Sequence, residues 1–571
     1  MIRKDCEPAI LVPPSKDIEL FPYRVQENKL LKFDKKTEEY KEISKAAKIK
    51  SIERCLETGE LKMKIIFWSI DCWITMDIER SDLDGKNTKK FLNKGMDIIG
   101  DKKKMREVFS FLSEHEKSIH PRNFHTGLGW DRINGYMNYK SHSLINNNGI
   151  ESRYSGDINL QPMGSFEGYE NLLKEYVLGH APLELMLCIG LSASLLGFLN
   201  QSGESLWDWS LMCHIHGFSS TGKTTASMLA VSPFGNPNSN HQGLIRSFNG
   251  TKNALISSLN GNFGMPIVFD ETTMNEMESK KLSALIYEFS QNQERARLNQ
   301  DSTMKKNGTW CTTIITTGEQ SIINRAEKNA GLRVRLFEFE GINWFKDANH
   351  AENVKKAVTE NYGFFGEAFA RLLNRYPPRE LEELLKRNKQ ELKKEMPVSQ
   401  LVDRISQKMS LILTIVDLLE EGFGYKLCRD QIKRMLIDQE NKSCEDRNIG
   451  ENFHRQFMDH IIQHSRKYYQ KGSSGGGSEV WGTIEYEKGK TYVYTLSNVF
   501  KEAVTHLGYP NDKSVLHALK EKGVLHHENN KLKIRKNIKG ASNQSKNGVY
   551  TICIVFSEDI LSLEKPYENF I

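Results

Sequence analysis

Residues 214–230 read HIHGFSSTGKTTASMLA. The preceding run SLMCHIH is apolar and suits a buried strand. The following TTASMLAV suits a helix, and the Gly/Ser segment between them has to be a turn. The pattern G-x-x-x-x-G-K-[ST] is met by Gly217, Gly222, Lys223 and Thr224, in the strand-then-helix context that gives the pattern its meaning. Glycines at both ends let the backbone N–H groups of Ser219, Ser220, Thr221 and Thr225 turn inward as an anion nest. The next helix adds the positive end of its dipole. Lys223 then reaches β- and γ-phosphates, and the Thr224 hydroxyl is placed to ligate Mg²⁺, so ATP with Mg²⁺ is the expected ligand.

Hydrolysis needs acids on a neighbouring strand. About 45 residues on, MPIVFDE (265–271) supplies Asp270 and Glu271 after four apolar positions. The first acid is placed to hold Mg²⁺ and the second to polarise an attacking water; carboxylates at a strand end can also simply cap the next helix. The following strand, TWCTTIITTGE (309–319), ends in Thr316 and Thr317, and Thr317 is the candidate for contact with the γ-phosphate or the water. In AGLRVRLFEFE (330–340), Arg333 and Arg335 are two apart, which on a strand puts them on one face. Either could complete a neighbouring subunit's site or form a surface ion pair.

Composition bounds the rest. The chain has 571 residues, 38% hydrophobic and 27% charged, with a formal net charge of +6, as expected of a soluble multidomain protein. Nine cysteines are scattered without a CxxC pair or zinc-finger spacing, which points to a reducing, cytoplasmic setting. The N-terminus carries no adequate apolar stretch for a secretory signal. The longest apolar run, Leu185–Leu199, would span about 22 Å as a helix against roughly 30 Å of bilayer hydrocarbon, so a buried core helix and no membrane are expected.

Four regions are expected. Residues 1–150 form a mixed α+β domain with a strand pair in MKIIFWSIDCWITMDIE (63–79) and a helical NTKKFLNKGMDIIG (87–100). From 151 to 350, helices alternate with the short β-rich runs WSLMCHIHG, MPIVFDE, TWCTTIITTGE and RLFEFE, the signature of an α/β sheet. Residues 351–468 are helical, with a solvated PRELEELLKRNKQELKKE and a core helix VDRISQKMSLILTIVDLLEEG ended by Gly422. The Gly/Ser run 470–479 reads as a linker, and 480–571 as a separate small unit.

Two features point toward a polyanion. The turn STMKKNG, between candidate strands, puts Lys305 and Lys306 at a hairpin tip, where they would meet backbone phosphates without reading bases; a solvated turn is the alternative. In the last unit, two amphipathic helices flank GYPND, and VLHHENNKLKIRKNI follows as a β-hairpin bearing Lys531, Lys533, Arg535 and Lys536. That is a winged-helix pattern, used for DNA but also for protein contacts.

The ordered set GFSSTGKT, IVFDE, TTIITTGE and GLRVRLFEF, followed by a helical segment with Arg404, resembles AAA+ ATPases. More closely it is similar to the Cch helicases of staphylococcal cassette chromosome elements, which are themselves similar to MCM replicative helicases. The resemblance implies an AAA+ P-loop core with a helical lid and a C-terminal winged helix. It implies a homo-oligomeric, hexameric ring that acts on single-stranded and forked DNA of a mobile element, moves 3′ to 5′, and works with element-encoded replication proteins. It makes Arg335 the better arginine finger, Arg404 the lid arginine that senses nucleotide, and Lys305 and Lys306 the tip of a hairpin in the channel. A helicase loader or initiator, and an AAA+ protein remodeller, are the competing readings; the second needs an aromatic-Gly pore loop, and the hairpin tip is basic instead.

Overall fold

The computed structural model describes residues 17–557 apart from 87, 99–101, 147, 204–206, 240–241, 275–276, 299–303, 305–306, 327–329, 471–478, 510, 529–530 and 540–547. Most of the Gly/Ser run at 470–479, and both Lys305 and Lys306, therefore lie outside the described residues. The chain divides into two units, Met1–Leu160 and Gln161–Ile571.

In the first unit, Ile18–Leu20, Tyr23–Gln26, Lys29–Asp34 and Glu39–Lys45 form a four-stranded antiparallel meander in chain order. A second sheet runs Ser152–Tyr154, Arg122–His125, Ala47–Cys55, Leu61–Ser69, Cys72–Glu79, and its last two strands are the strand pair expected at 63–79. Helix Lys102–Glu116 lays Val108, Phe111 and Leu112 on their apolar side. The helix expected across 87–100 is reduced to Lys89–Asn93, because Gly95 takes φ 85° just beyond it.

The second unit is built on a five-stranded parallel sheet. Its strands are β1 (Leu211–His216), β2 (Ile245–Ser247), β3 (Ile267–Asp270), β4 (Thr313–Gly318) and β5 (Leu336–Glu340), in the order β2-β3-β4-β1-β5. Every residue of β1 and β4 is buried, as central strands covered on both faces must be. The edge strand β2, three residues long, is too short to leave a periodic signal.

Helix α1 (Ala181–Gln201) contains the run read as a core helix and is buried along almost its whole length. It packs against α2 (Lys223–Val231), the helix that follows β1. Contact is close because Gly190 faces the backbone of α2: a Cβ there would lie 2.0 Å from the Ala230 carbonyl oxygen. Helices α3 (Pro378–Glu395), α4 (Val402–Phe423) and α5 (Arg429–Arg447) follow, and α4 and α5 also pack on α1. Buried Glu184 of α1 accepts from the Gly179 N–H and from the Cys428 N–H just before α5, both at 2.7 Å. The end expected at Gly422 is displaced to Gly424, which takes φ 71°. Gly422 stays helical beside Leu372.

After α6 (Ile449–Gln463) come β6 (Tyr468–Gln470), β7 (Gly482–Glu487), β8 (Lys490–Leu496), α7 (Ser497–His506), α8 (Asp512–Glu521), β9 (Leu525–His526), β10 (Ile534–Lys536) and β11 (Val549–Phe556). The two helices around GYPND are where the sequence puts them. At the tip of the expected hairpin Glu528 and Lys531 form an antiparallel bridge, the Lys531 N–H donating to the Glu528 carbonyl at 2.7 Å, but β9 and β10 do not pair with each other. Both pair antiparallel with β11 instead, since VYTICIVF offers eight residues of strong β-formers and the intervening HENNK is polar.

Candidate active site

At the carboxyl end of β1 the backbone makes the turn that the glycine spacing requires. Gly217 adopts φ 145°, Ser220 φ 65° and Gly222 φ 82° before α2 begins at Lys223. Gly222 is doubly constrained, because a Cβ there would meet the Phe345 ring at 2.5 Å as well as a left-handed backbone. Lys223 is buried and donates to its own loop carbonyls, Gly217 O at 2.9 Å and Phe218 O at 2.8 Å. The ammonium is thus held across the mouth of the loop, where phosphate oxygens could replace the two carbonyls.

Strands β3 and β4 bring the acids and hydroxyl to the same edge. Thr224 Oγ1 donates to Asp270 Oδ1 at 3.2 Å, and Thr317 also donates to that oxygen. The Glu271 N–H donates to Thr317 Oγ1 at 3.0 Å. Parallel register makes this possible, with Ile215 of β1 paired to Thr317 and Phe269 of β3 to Thr316. Glu271 stands at φ 60°, and its Oε1 is buried without a hydrogen-bond partner. Burial first, then the charges of Asp270 and Glu319, raise its pKa above the ordinary glutamate value. A hydroxyl and a carboxylate 3.2 Å apart at the helix N-terminus, with an unpartnered carboxylate oxygen beside them, fit a hard divalent cation and a polarised water.

Two side chains, Glu319 and His214, had no counterpart in the sequence reading. Ser219 Oγ donates to Glu319, directly after β4, so a carboxylate leans on the loop. Buried His214 accepts from Thr316 at 2.8 Å and donates through Nε2 to the Gln320 carbonyl at 3.0 Å. Burial brings its pKa down to about 4, so the ring is neutral. The string TTGE carries no sign of this role for Glu319, and nothing in HIH reveals which histidine faces inward and is fully buried.

The arginines separate. Arg333 ends the short helix Ala330–Arg333, and the Arg335 N–H bonds the Leu332 carbonyl at 2.9 Å. The strand period begins only at Leu336, so the two side chains do not share a strand face. Arg333 lines a cavity of about 300 Å³ with His216, Glu319, Glu338 and Lys442. Arg335 instead directly precedes Leu336, which pairs with Met212 near the start of β1, at the opposite end of the strand from the loop. Its guanidinium is 4.6 Å above the Tyr287 ring and donates to Gly331 O.

Arg404 is exposed on the first turn of α4, and Lys408, one turn on, carries its ammonium 4.9 Å from the Trp209 ring. Burial, then the charges of Arg335 and Arg404, lower the Lys408 pKa, and no hydrogen bond or ion pair joins Arg404 to the loop among the described residues.

Of the basic residues near the C-terminus, Lys531 and Arg535 are exposed and Lys533 half-buried. Arg535 lies 4.6 Å over the exposed Tyr550 ring. Lys536 is engaged, bonding Glu485 at 2.7 Å. Gln293 bridges Thr309 and Leu298 bridges Met304, antiparallel and in one register, as a hairpin requires; Lys305 and Lys306 lie outside the described residues.

Fold and site together define a parallel α/β protein with a glycine-rich strand–loop–helix element and a C-terminal helix-turn-helix module. The chain belongs to the DUF927 family, a domain of unknown function, which matches residues 24–309, half of the sequence. The Cch helix turn helix domain matches residues 448–559. A solved structure described as "SCCmec type IV Cch - active helicase" is similar over 96% of this chain and 99% of its own, with a TM-score of 0.75 at 22% identity. The resemblance to Cch proteins is thereby borne out at the level of fold. Among curated proteins, none matches.

Proposed function

We propose that the chain is an ATP-driven DNA helicase of the AAA+ type, similar to Cch, acting on DNA of a mobile genetic element. The convergence of Lys223, Thr224, Asp270, Thr317 and Glu271 on one sheet edge carries this reading. The strand order β2-β3-β4-β1-β5 supports the AAA+ assignment, and the helical region that includes α3, α4 and α5 is read as the lid. The C-terminal module, with α8 and the β10–β11 pair, is read as a winged helix that touches DNA through Lys531, Lys533 and Arg535.

In this reading Lys223 exchanges its two loop carbonyls for β- and γ-phosphate oxygens. Thr224 and Asp270 would hold Mg²⁺, which would supply screening of the phosphate charge. Glu271 takes the proton of the attacking water, and Thr317 orients it. Arg335, far from the loop of its own chain, serves a second copy in a ring, for which a hexamer and 3′ to 5′ movement are the expectation. Lys305 and Lys306 line the channel and follow the backbone of the translocated strand.

The test is strand displacement on forked DNA bearing a single 3′ or 5′ tail, with and without ATP. ATP-dependent unwinding from the 3′ tail supports the reading. DNA-stimulated ATPase without unwinding by the protein alone would make it a loader or initiator, and stimulation by unfolded polypeptide instead of DNA would make it a remodeller. Alanine at Lys305 and Lys306 should leave basal ATPase and remove both its DNA stimulation and unwinding.

A further inference from the structure

Glu271 stands in a backbone region that few residues with a side chain occupy. Its φ is 60°, at the junction between β3 and the single 3-10 turn Thr272–Met274, and such a conformation persists only where the surroundings hold it. Three hydrogen bonds do so. The Glu271 N–H donates to Thr317 Oγ1 at 3.0 Å, and the Glu271 carbonyl accepts from the Met274 N–H at 3.3 Å. The next carbonyl, that of fully buried Thr272, accepts from Arg325 Nη1 at 2.7 Å. Thr272 Oγ1 also lies against Gly318, where a Cβ would come within 2.3 Å of it, which blocks a shift of the turn toward β4.

Arg325 is itself aimed by residues of the sheet. It ends the short helix Ile322–Arg325, and Glu338 of β5 anchors the start of that helix, accepting from Ser321 Oγ at 2.7 Å and from the Ile323 N–H at 3.1 Å. Just before it, the Gln320 carbonyl accepts from His214 Nε2 of β1 at 3.0 Å. Strands β1 and β5 thus fix a segment whose last side chain reaches the turn that carries Glu271. A guanidinium on a carbonyl is a charge-assisted bond, stronger than the neutral pairs around it.

We propose that Arg325 is a positioning residue for Glu271: by clamping the Thr272 carbonyl it sets the direction of the Glu271 carboxylate, whose Oε1 is buried without a hydrogen-bond partner, for the attacking water. This rests on the hydrolysis reading, in which Glu271 is the base, and adds to it a residue that touches neither nucleotide nor water. The clamp lies within one chain, in contrast to the part given to Arg335. Phosphate binding depends on the loop before α2, so loosening the clamp displaces the base and leaves the nucleotide in place. A displacement of about 1 Å in a catalytic group can cost about 10²-fold in rate.

The experiment pairs equilibrium ATP titration with single-turnover hydrolysis by the full chain, for wild type, Arg325→Gln and Arg325→Lys, each also in a Glu271→Gln background. Arg325→Gln should bind ATP within about twofold of wild type and hydrolyse it about 10- to 100-fold more slowly. Arg325→Lys, which keeps a charged donor but not the planar fork, should fall between, several-fold slower than wild type. In the Glu271→Gln background neither change should slow the residual rate by more than about twofold, since no base is left to position. Mixing Arg325→Gln with Lys223→Ala should restore nothing, because the clamp belongs to the chain that holds the nucleotide. A wild-type rate for Arg325→Gln would overturn the inference, as would a loss of ATP affinity as large as the loss of rate, or the full loss repeated in the Glu271→Gln background. Recovery in the mixture would overturn the action within one chain. If melting shows Arg325→Gln to be unfolded, Arg325→Lys decides: a several-fold loss of rate at unchanged ATP affinity supports the clamp, and a wild-type rate overturns it. Those outcomes leave the hydrolysis reading intact so long as Lys223→Ala abolishes ATP binding; a wild type without ATPase overturns that reading and this inference with it.

Discussion

Lys223 bridges two carbonyls of its own loop at 2.9 and 2.8 Å, so replacing it removes both the phosphate ligand and the clamp that shapes the loop. Lys223→Ala should weaken ATP binding at least about 100-fold, the loss of two charge-assisted hydrogen bonds, measured by equilibrium titration. Glu271→Gln should bind ATP like wild type and lose about 10²- to 10⁴-fold in turnover. Its raised pKa also fixes a pH dependence. A base works ionised, so the acid limb of the rate profile should lie above the usual range of about 4.3 for glutamate, with rate rising through it. In stability the order is opposite: a carboxyl whose folded pKa is raised favours folding at low pH and loses that contribution as pH rises through the folded pKa. Glu271→Gln should then melt no lower than wild type at neutral pH, and any advantage should vanish in acid. The lysine and the acids were legible in the sequence because phosphate chemistry prescribes residue types at a spacing. Glu319 and His214 were not, because their roles depend on which strand end faces which loop.

Among elements, the strands that could be read were those with no exposed face. β1, β3 and β4 are buried along all or nearly all of their length and end at the chemistry. The edge strand β2 and the pairing of β9 and β10 with β11 depend on partners distant in sequence, which periodicity does not carry. Helix ends were nearly legible. Gly422 and Gly424 are both plausible stops, and only backbone geometry separates the one beside Leu372 from the one at φ 71°. The contact of α1 with α2 makes a sharper prediction. At Gly190 a methyl would stand 2.0 Å from a backbone oxygen of Ala230, which has no rotamer to escape into. Gly190→Ala should cost at least about 2 kcal/mol in denaturant unfolding and weaken ATP binding by shifting α2, whose first residue is Lys223. A neutral result would mean that the two helices slide freely.

At the scale of the whole molecule, a trans role for Arg335 predicts complementation. Arg335→Ala should bind ATP and fail to hydrolyse it, and mixing with Lys223→Ala should recover part of the ATPase; no recovery would place the function of Arg335 within its own chain. Both units also contain histidines kept neutral by burial, with His115 in the first, and His214 and His460 in the second, each brought down to about 4. The neutral form is favoured in the fold, so their contribution is full above about 6.5 and disappears as pH falls toward 4. Thermal melts at descending pH should decline across that window in both units. Finally, α1 draws its cover from both sides of residue 350, from α2 before it and from α4 and α5 after it. A shortened chain ending at 350 would bare to water the side of this 21-residue apolar helix that α4 and α5 cover. In a cell such a fragment is a client for chaperones or a mistaken substrate for membrane insertion, so expression of the sheet alone should yield aggregates, and any soluble truncation has to extend through α5.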